Sequence, residues 1–241
     1  VILNVFADGL ARHEDLPFPE ACAEAARAVY ARVKGSYSVV AAIHERGLVA
    51  LRDPFGIKPI VYGRKGGMHV VASESCVLDA LGVQIVRDLK PGEVFVVDLD
   101  GNVTSRQVAP PNHYPCVFEY IYFARPDSIV GGRNVYATRK QMGIELAREA
   151  PATADVVIPI PDSGVPAAIG YAQESRMPFE LGIIRNHYVG RTFIEPEQRI
   201  RQLGVKLKHS ANASAVRGNR IVLIDDSVVR GTTSKKLVQM M

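Results

Sequence analysis

The sequence predicts two regions in tandem: an α+β layer structure, then an α/β region built on a mainly parallel sheet. Three observations carry this. Residues 36–72 hold four short β-rich runs in close succession, the pattern of antiparallel strands. From residue 134 onward, strand-like and helix-like runs alternate, the pattern of a parallel sheet. Between them APPNHYPC (109–116) places prolines at 110, 111 and 115, where neither a helix nor a central strand continues. The expected division is therefore 1–109 and 110–241.

Each element has its own local reason. VILNVFADGL (1–10) reads as the inside of an element. PEACAEAARAVYARVKG (19–35) has alanine-rich helical spacing closed by Gly35. Strands are expected at 36–43, 47–52, 59–63 and 68–72, punctuated by Gly47, Asp53–Pro54 and Gly66–Gly67. SESCVLDALG (73–82) predicts a short helix with a serine N-cap and a glycine stop. EVFVVDLDGNVTSRQV (93–108) predicts a hairpin turning near Asp100–Gly101. In the second half, helices are expected at 134–150 and 164–175, and strands at 154–160, 179–184 and 220–225. A long polar, basic loop is expected from 185 to about 218, and TTSKKLVQMM begins a last helix.

Composition bounds the class. With 241 residues, 47% hydrophobic and 22% charged, the chain has a globular composition and room for two domains. No apolar run approaches the roughly 18 residues of a membrane span. Cys22, Cys76 and Cys116 are odd in number and lack CxxC spacing, which favours a reducing cytoplasm over a disulfide scaffold. Residues 1–109 hold 12 Lys/Arg against 13 Asp/Glu, and residues 110–241 hold 17 against 12. The excess of +4 thus lies in the second half, which suits nucleic acid or an anionic small molecule. Val1 and the abrupt end at GTTSKKLVQMM lead to the expectation of an internal segment of a longer protein, inactive by itself. VILNVFADGL has no basic leader of a signal peptide.

The chemistry concentrates in three stretches. RIVLIDDSVVRGTTS (220–234) runs from an apolar strand into two acids, then small and hydroxylic residues, then a helix start. Ligands of parallel sheets sit at strand carboxyl ends. There Asp225 and Asp226 can accept from a pair of sugar hydroxyls or hold a hydrated divalent cation. Ser227, Arg230, Gly231, Thr232 and Thr233 offer donors and a helix N-terminus to a phosphate. A sugar phosphate uses both halves; the bland alternative is an acidic helix cap. PIPDSGVPAA (159–168) repeats the pattern, with Asp162, Ser163 and Gly164 available to a second phosphate or pyrophosphate, or forming an ordinary N-capped turn. RNHYVGRTFIEPEQRIRQLGVKLK (185–208) carries six Lys/Arg against two Glu and reads as a basic lid over phosphates, or a solvated loop. There is no GxxxxGK[ST], which excludes a P-loop.

These residues resemble a known family. VLIDDSVVRGTTS is similar to the phosphoribosyl pyrophosphate-binding signature of type I phosphoribosyltransferases. With FEYIYFARPDS (118–128), IPIPDSG and RNHYVGRTFI it resembles the glutamine phosphoribosylpyrophosphate amidotransferases. ALRDPFGIKPIVYG (50–63) and VASESCVLDALG (71–82) resemble the glutaminase domain of N-terminal-nucleophile amidotransferases. The resemblance implies a partial N-terminal-nucleophile hydrolase-like glutaminase domain over 1–109 and a partial type I phosphoribosyltransferase domain over 110–241. It implies that ammonia from glutamine displaces pyrophosphate from phosphoribosyl pyrophosphate, giving phosphoribosylamine for purine synthesis. Carried over by residue, Asp225 and Asp226 hold the ribose hydroxyls and contribute to Mg²⁺ binding, with Ser163 as a further Mg²⁺ position. Residues 227–233 bind the 5′-phosphate, and Asp162, Ser163 and Gly164 bind the pyrophosphate. Arg185, Arg191, Lys206 and Lys208 belong to the lid. The family also implies a cytoplasmic homotetramer inhibited by purine nucleotides, with no nucleic-acid or membrane partner.

The chain departs from the family at the glutaminase centre. Cys22 and Cys76 are internal and lack the free α-amino group of an N-terminal nucleophile, so both are expected to be buried apolar residues. No glutaminase catalytic residue is assigned. The resemblance implies a [4Fe–4S] ligand at Cys116; from the residues alone, a buried free thiol is the alternative. A second reading of the whole chain is a DNA-binding regulator that uses a phosphoribosyltransferase fold as a sensor.

Overall fold

A computed structural model describes residues 1–186, 209–228 and 231–241, which form two compact units, 1–134 and 135–241. Helices α1 (Ile2–Ala11) and α2 (Phe18–Arg32) open the first. On α2, Cys22, Ala25, Ala26 and Val29 recur at helical spacing and are buried. Strands β1 (Ser38–Ile43), β2 (Gly47–Arg52), β6 (Glu93–Asp98) and β7 (Val103–Gln107) form an antiparallel sheet in the order β1-β2-β6-β7. Strands β3 (Val61–Lys65), β4 (Met68–Ala72) and β5 (Gln84–Asp88) form a second, in the order β4-β3-β5.

Strand alternation builds the layers. Val49, Leu51, Val94 and Val96 face α1 and α2, where Val5, Phe6, Cys22 and Val29 complete one core. Ala50, Phe95 and Val97 face the other way and pack with Ile60, Tyr62 and Leu89. Val61, beside Tyr62 but on the opposite face of β3, meets Leu78 of α3 (Ser75–Ala80) and Val83. The order is helices, sheet, sheet, helix.

Three details differ from expectation. The N-cap of α3 is Glu74, not a serine, and no side chain caps the helix; the Glu74 and Ser75 side chains bond residues 125–129. Strand β5 is not expected from the sequence, since its mix of apolar and charged residues lacks strand alternation; it forms because Gln84–Asp88 pairs along β3. The proline-rich segment packs within the first unit. The Asn112 amide donates to Pro54 O at 3.0 Å and the Tyr114 amide to Phe55 O at 2.8 Å. Residues 119–123 then make a π-helical turn, and β8 (Ile129–Val130) and β9 (Arg133–Asn134) a small hairpin.

In the second unit, β10 (Val156–Pro159) lies parallel to β13 (Ile221–Ile224), with Val156 opposite Ile221 and Pro159 opposite Ile224. Phe179 adds a single parallel bridge to Val157. Within the stretch expected as a strand over 179–184, regular pairing covers only β11 (Ile183–Arg185), antiparallel to β12 (His209–Ala211). The last part of the stretch expected as loop to about 218 carries structure, since β12 is followed by α6 (Ala213–Val216). Helices α4 (Val135–Glu149) and α5 (Val165–Ser175) match their expected positions, and α7 (Thr232–Met240) closes the chain. One face of the β10–β13 pair, with Val157 and Ile224, packs on Ala147, Ala168, Tyr171 and Ala172. The other, with Val156, Ile158 and Ile160, packs on Ile183, Val216 and Leu237.

Helices α4 and α5 cross at glycines. A β-carbon at Gly143 would run into the Ala167 carbonyl, and one at Gly170 into the Lys140 carbonyl. Replacing a helical glycine by alanine gains about 1 kcal/mol of propensity, whereas overpacking against backbone costs about 1–3 kcal/mol. Gly143→Ala is therefore expected to lower stability to denaturant, with urea unfolding as the measurement; an unchanged or raised midpoint would refute this packing.

Candidate functional site

The parallel register brings two strand ends together. The Ile160 amide donates to Ile224 O at 2.8 Å, extending the ladder one step past β10. The chain then turns sharply: the Gly164 amide donates to Ile160 O at 3.1 Å, and a β-carbon at Gly164 would stand 2.6 Å from Ile224 O. The Pro161–Asp162 peptide in this turn is cis.

On this backbone the expected residues converge. Ser163 Oγ donates to Asp226 Oδ2 across the two loops. Ser227 Oγ donates to the other Asp226 oxygen at 2.7 Å, and the Asp226 amide donates to Asp225 Oδ1 at 2.9 Å. Burial pushes the Asp225 carboxyl above the usual carboxylate range; the Asp226 amide opposes this and the Asp226 charge adds to it. From the end of β11, the Arg185 guanidinium forms an ion pair with Asp162, while its buried Nε has no partner among the described residues. Asp162, Ser163, Gly164, Arg185, Asp225, Asp226 and Ser227 thus share the carboxyl ends of β10, β11 and β13.

The capping alternatives fail on geometry. The N-cap of α5 is Gly164 and that of α7 is Gly231, and neither helix start has a side-chain cap. The acids are thus not spent on helix termini. Gly231 adopts φ +66°, a left-handed conformation that glycine allows at the entry to α7. Thr232 and Thr233 begin α7, so their amides belong to its positive end. Arg191, Lys206, Lys208 and Arg230 lie outside the described residues.

Oxygen donors dominate, which fits Mg²⁺. Among the described residues no three His, Cys, Asp or Glu side chains converge as a metal site. Mg²⁺ commonly binds through one or two carboxylates, with water and substrate phosphates completing the shell. Asp225, Asp226 and Ser163 offer a set of that kind.

The three cysteines are free thiols. Cys22 is buried, which pushes its thiol up to about 12, with Arg46 opposing weakly. Cys76 is only half-buried, not buried as expected, because it lies at the rim of α3 with its sulfur 3.9 Å from the Glu74 carboxylate. Cys116 is half-buried. Sequence reading missed the polar contacts around Lys58, Glu74 and Ser75; their residue types carry no motif that announces them.

A family model described as "Glutamine amidotransferase domain" matches residues 12–80. An amidophosphoribosyltransferase of Rhizobium etli is 56% identical over 214 residues, covering 87% of this chain and 43% of that protein. A chloroplastic amidophosphoribosyltransferase of Glycine max is 48% identical over 242 residues, covering 100% of this chain and 41% of its own length. The solved glutamine phosphoribosylpyrophosphate amidotransferase of B. subtilis, complexed with ADP and GMP, superposes with a TM-score of 0.86 at 40% identity. It covers 98% of this chain and 51% of that one. The chain thus spans about two fifths of the length of these curated relatives. With 48–56% identity over 87–100% of its length and a solved relative superposing at a TM-score of 0.86, the chain belongs to the amidophosphoribosyltransferase family.

Proposed function

We propose that the protein containing this chain is an amidophosphoribosyltransferase. Ammonia released from glutamine displaces pyrophosphate from C1 of 5-phosphoribosyl 1-pyrophosphate, leaving phosphoribosylamine, pyrophosphate and glutamate, the first committed step of purine synthesis. The observation that carries this reading is the meeting of the 162–164 turn with Asp225 and Asp226 at parallel strand ends.

Each group has a task set by its chemistry. Asp225 and Asp226 accept hydrogen bonds from the two ribose hydroxyls. The start of α7, with Ser227, Arg230, Gly231, Thr232 and Thr233, receives the 5′-phosphate. The 162–164 turn and Arg185 receive the pyrophosphate, and Arg191, Lys206 and Lys208 add cations from the segment beyond. Mg²⁺ held by Asp225, Asp226 and Ser163 would supply charge neutralisation to the departing pyrophosphate. Residues 1–109 form part of the glutaminase domain and 110–241 part of the phosphoribosyltransferase domain, with 110–134 packed in the first compact unit. Cys116, a half-buried free thiol, would supply one of the four thiolates of a [4Fe–4S] cluster.

The assembly is proposed to be a cytoplasmic homotetramer under purine-nucleotide control; the B. subtilis relative is complexed with ADP and GMP. Among the described residues no helix is long and apolar enough to cross a membrane. The DNA-binding alternative draws no support from the relatives above.

Asp225→Asn separates function from stability. In the full-length enzyme it is expected to reduce ammonia-dependent phosphoribosylamine formation by about 100-fold or more, the scale of losing a preorganised polar contact to the reacting substrate. Near-normal turnover would refute the assignment. The stability effect has the opposite sign. A carboxyl raised in the folded state has lost its proton in the unfolded chain first, so stability falls as pH rises through that window. The variant is therefore expected to melt higher than the parent at neutral pH. The difference should close below the ordinary aspartate value of 3.8, as followed by thermal denaturation across pH.

A further inference from the structure

The two first-half stretches that carry the family resemblance, 50–63 and 71–82, hold no assigned catalytic residue. Their polar side chains, with Asp88 just beyond them, instead grip one segment, 119–131. Lys58 Nζ donates to Glu119 Oε1 at 2.8 Å and lies 4.3 Å from the centroid of the Phe123 ring. Glu74 Oε2 accepts from the Arg125 amide at 2.7 Å and from Ser128 Oγ at 2.8 Å. Ser75 Oγ accepts from the Ile129 amide at 2.7 Å. The Gly131 amide donates to the Asp88 carboxylate. Ser75 and Ser128 are buried at 1% and 0% exposure.

Apolar burial holds little of the gripped segment: Ala124 is buried, but its large apolar side chains are not. Tyr122 and Phe123 are 56% and 53% exposed. Apolar contact adheres without direction, whereas hydrogen bonds to a fixed carboxylate and hydroxyl set a register. Within the grip lies a π-helical turn, a form frequent at functional sites. The chain then runs through β9 directly into α4, the first helix of the second unit.

We infer that Glu74, with Ser75 and Lys58, is a positioning residue: it fixes the segment from which the second unit departs, and so couples glutamine hydrolysis to ammonia use. This rests on the proposed amidotransferase reading, which requires two reactions to share one ammonia. None of these three residues touches substrate in that reading. Loosening the grip leaves each half-reaction intact and lets ammonia escape between them.

The test uses the full-length enzyme and three assays: glutamate release from glutamine, ammonia-dependent phosphoribosylamine formation, and glutamine-dependent phosphoribosylamine formation. In Glu74→Ala the first two are expected within about twofold of the parent and the third reduced about tenfold, since small misplacements cost rate steeply. Glutamate then accumulates in excess of phosphoribosylamine. Glu74→Gln keeps an accepting oxygen for Arg125 and Ser128 and should restore most of the coupling. A parallel fall in all three assays, or an unchanged ratio, overturns the inference. Should Glu74→Ala fail to fold, Ser128→Ala is read by the same criteria. Hydrogen exchange at the Arg125 amide reports the grip without reference to activity. Faster exchange in Glu74→Ala is expected, and unchanged exchange overturns the inference. Faster exchange in a protein lacking both half-reactions would fault the amidotransferase reading and leave the grip standing.

Discussion

The Ile224 carbonyl, reaching past the end of β13 to the Ile160 amide 2.8 Å away, fixes the geometry on which the candidate site depends. Because the pairing is parallel, both chains leave the sheet in the same direction. The loop after β10 and the loop after β13 therefore start side by side, and Ser163 meets Asp226. An antiparallel pair would have put one loop at each end and left the acids alone. Gly164 completes the constraint, since its missing side chain lets the turn fold back under the same carbonyl. Apolar packing on both faces then holds the pair rigid, with Val157 and Ile224 on one side and Ile158 and Ile183 on the other.

The first unit solves a different problem. Its four-stranded sheet is apolar on both faces, so it must be covered twice, by α1 and α2 and by the second sheet. Where β2 ends, the backbone carbonyls of the following turn need partners. Arg52 supplies them: its guanidinium donates to Gly56 O at 2.7 Å, Leu89 O at 2.7 Å and Lys58 O at 2.9 Å. Asp53, fully buried, accepts from the Phe55 amide at 2.9 Å and the Tyr37 amide at 3.3 Å. Glu93 is buried too; burial raises its carboxyl, but Arg87, Ser105 and the Lys90 amide more than offset this and leave it below the ordinary range. A motif containing arginine and aspartate thus has a structural explanation here. It closes a turn whose far end presents Lys58 to Glu119.

How much of this was legible follows from which physics each element uses. Helix α2 and strands β1, β2, β4, β6 and β7 declare themselves by periodicity and by glycine or proline punctuation, which are local signals. Strand β5 is different: Gln84–Asp88 mixes apolar and charged residues and is a strand through its pairing with β3, a tertiary cause that no window of sequence contains. The same holds for Phe179, whose single bridge to Val157 stops short of a regular strand. At the site, Asp162, Ser163, Asp225 and Asp226 were legible because strand, acid and glycine follow in a fixed order. The Ser163–Asp226 and Arg185–Asp162 pairings were not, since each joins residues far apart in sequence. The proline-rich segment was legible as a break in secondary structure but not as a packed part of the first unit, because its anchors are backbone hydrogen bonds to residues 54 and 55.

The distribution of charge within the site also bears on which ligand it suits. Among the described residues, Asp225 and Asp226 take hydrogen bonds from amide and hydroxyl donors, with a desolvation cost on Asp225. One loop further on, Gly231 opens α7, whose positive end favours an anion. A ligand that presents hydroxyls to the acids and phosphate to the helix end satisfies both. A nucleic-acid backbone, charged at every nucleotide, would bring phosphates toward Asp225 and Asp226 and meet repulsion there. On the proposed reading, the basic excess of the second half serves a small polyanion with free hydroxyls. The fold maintains the two poles a few residues apart because β13 delivers both from a single strand end.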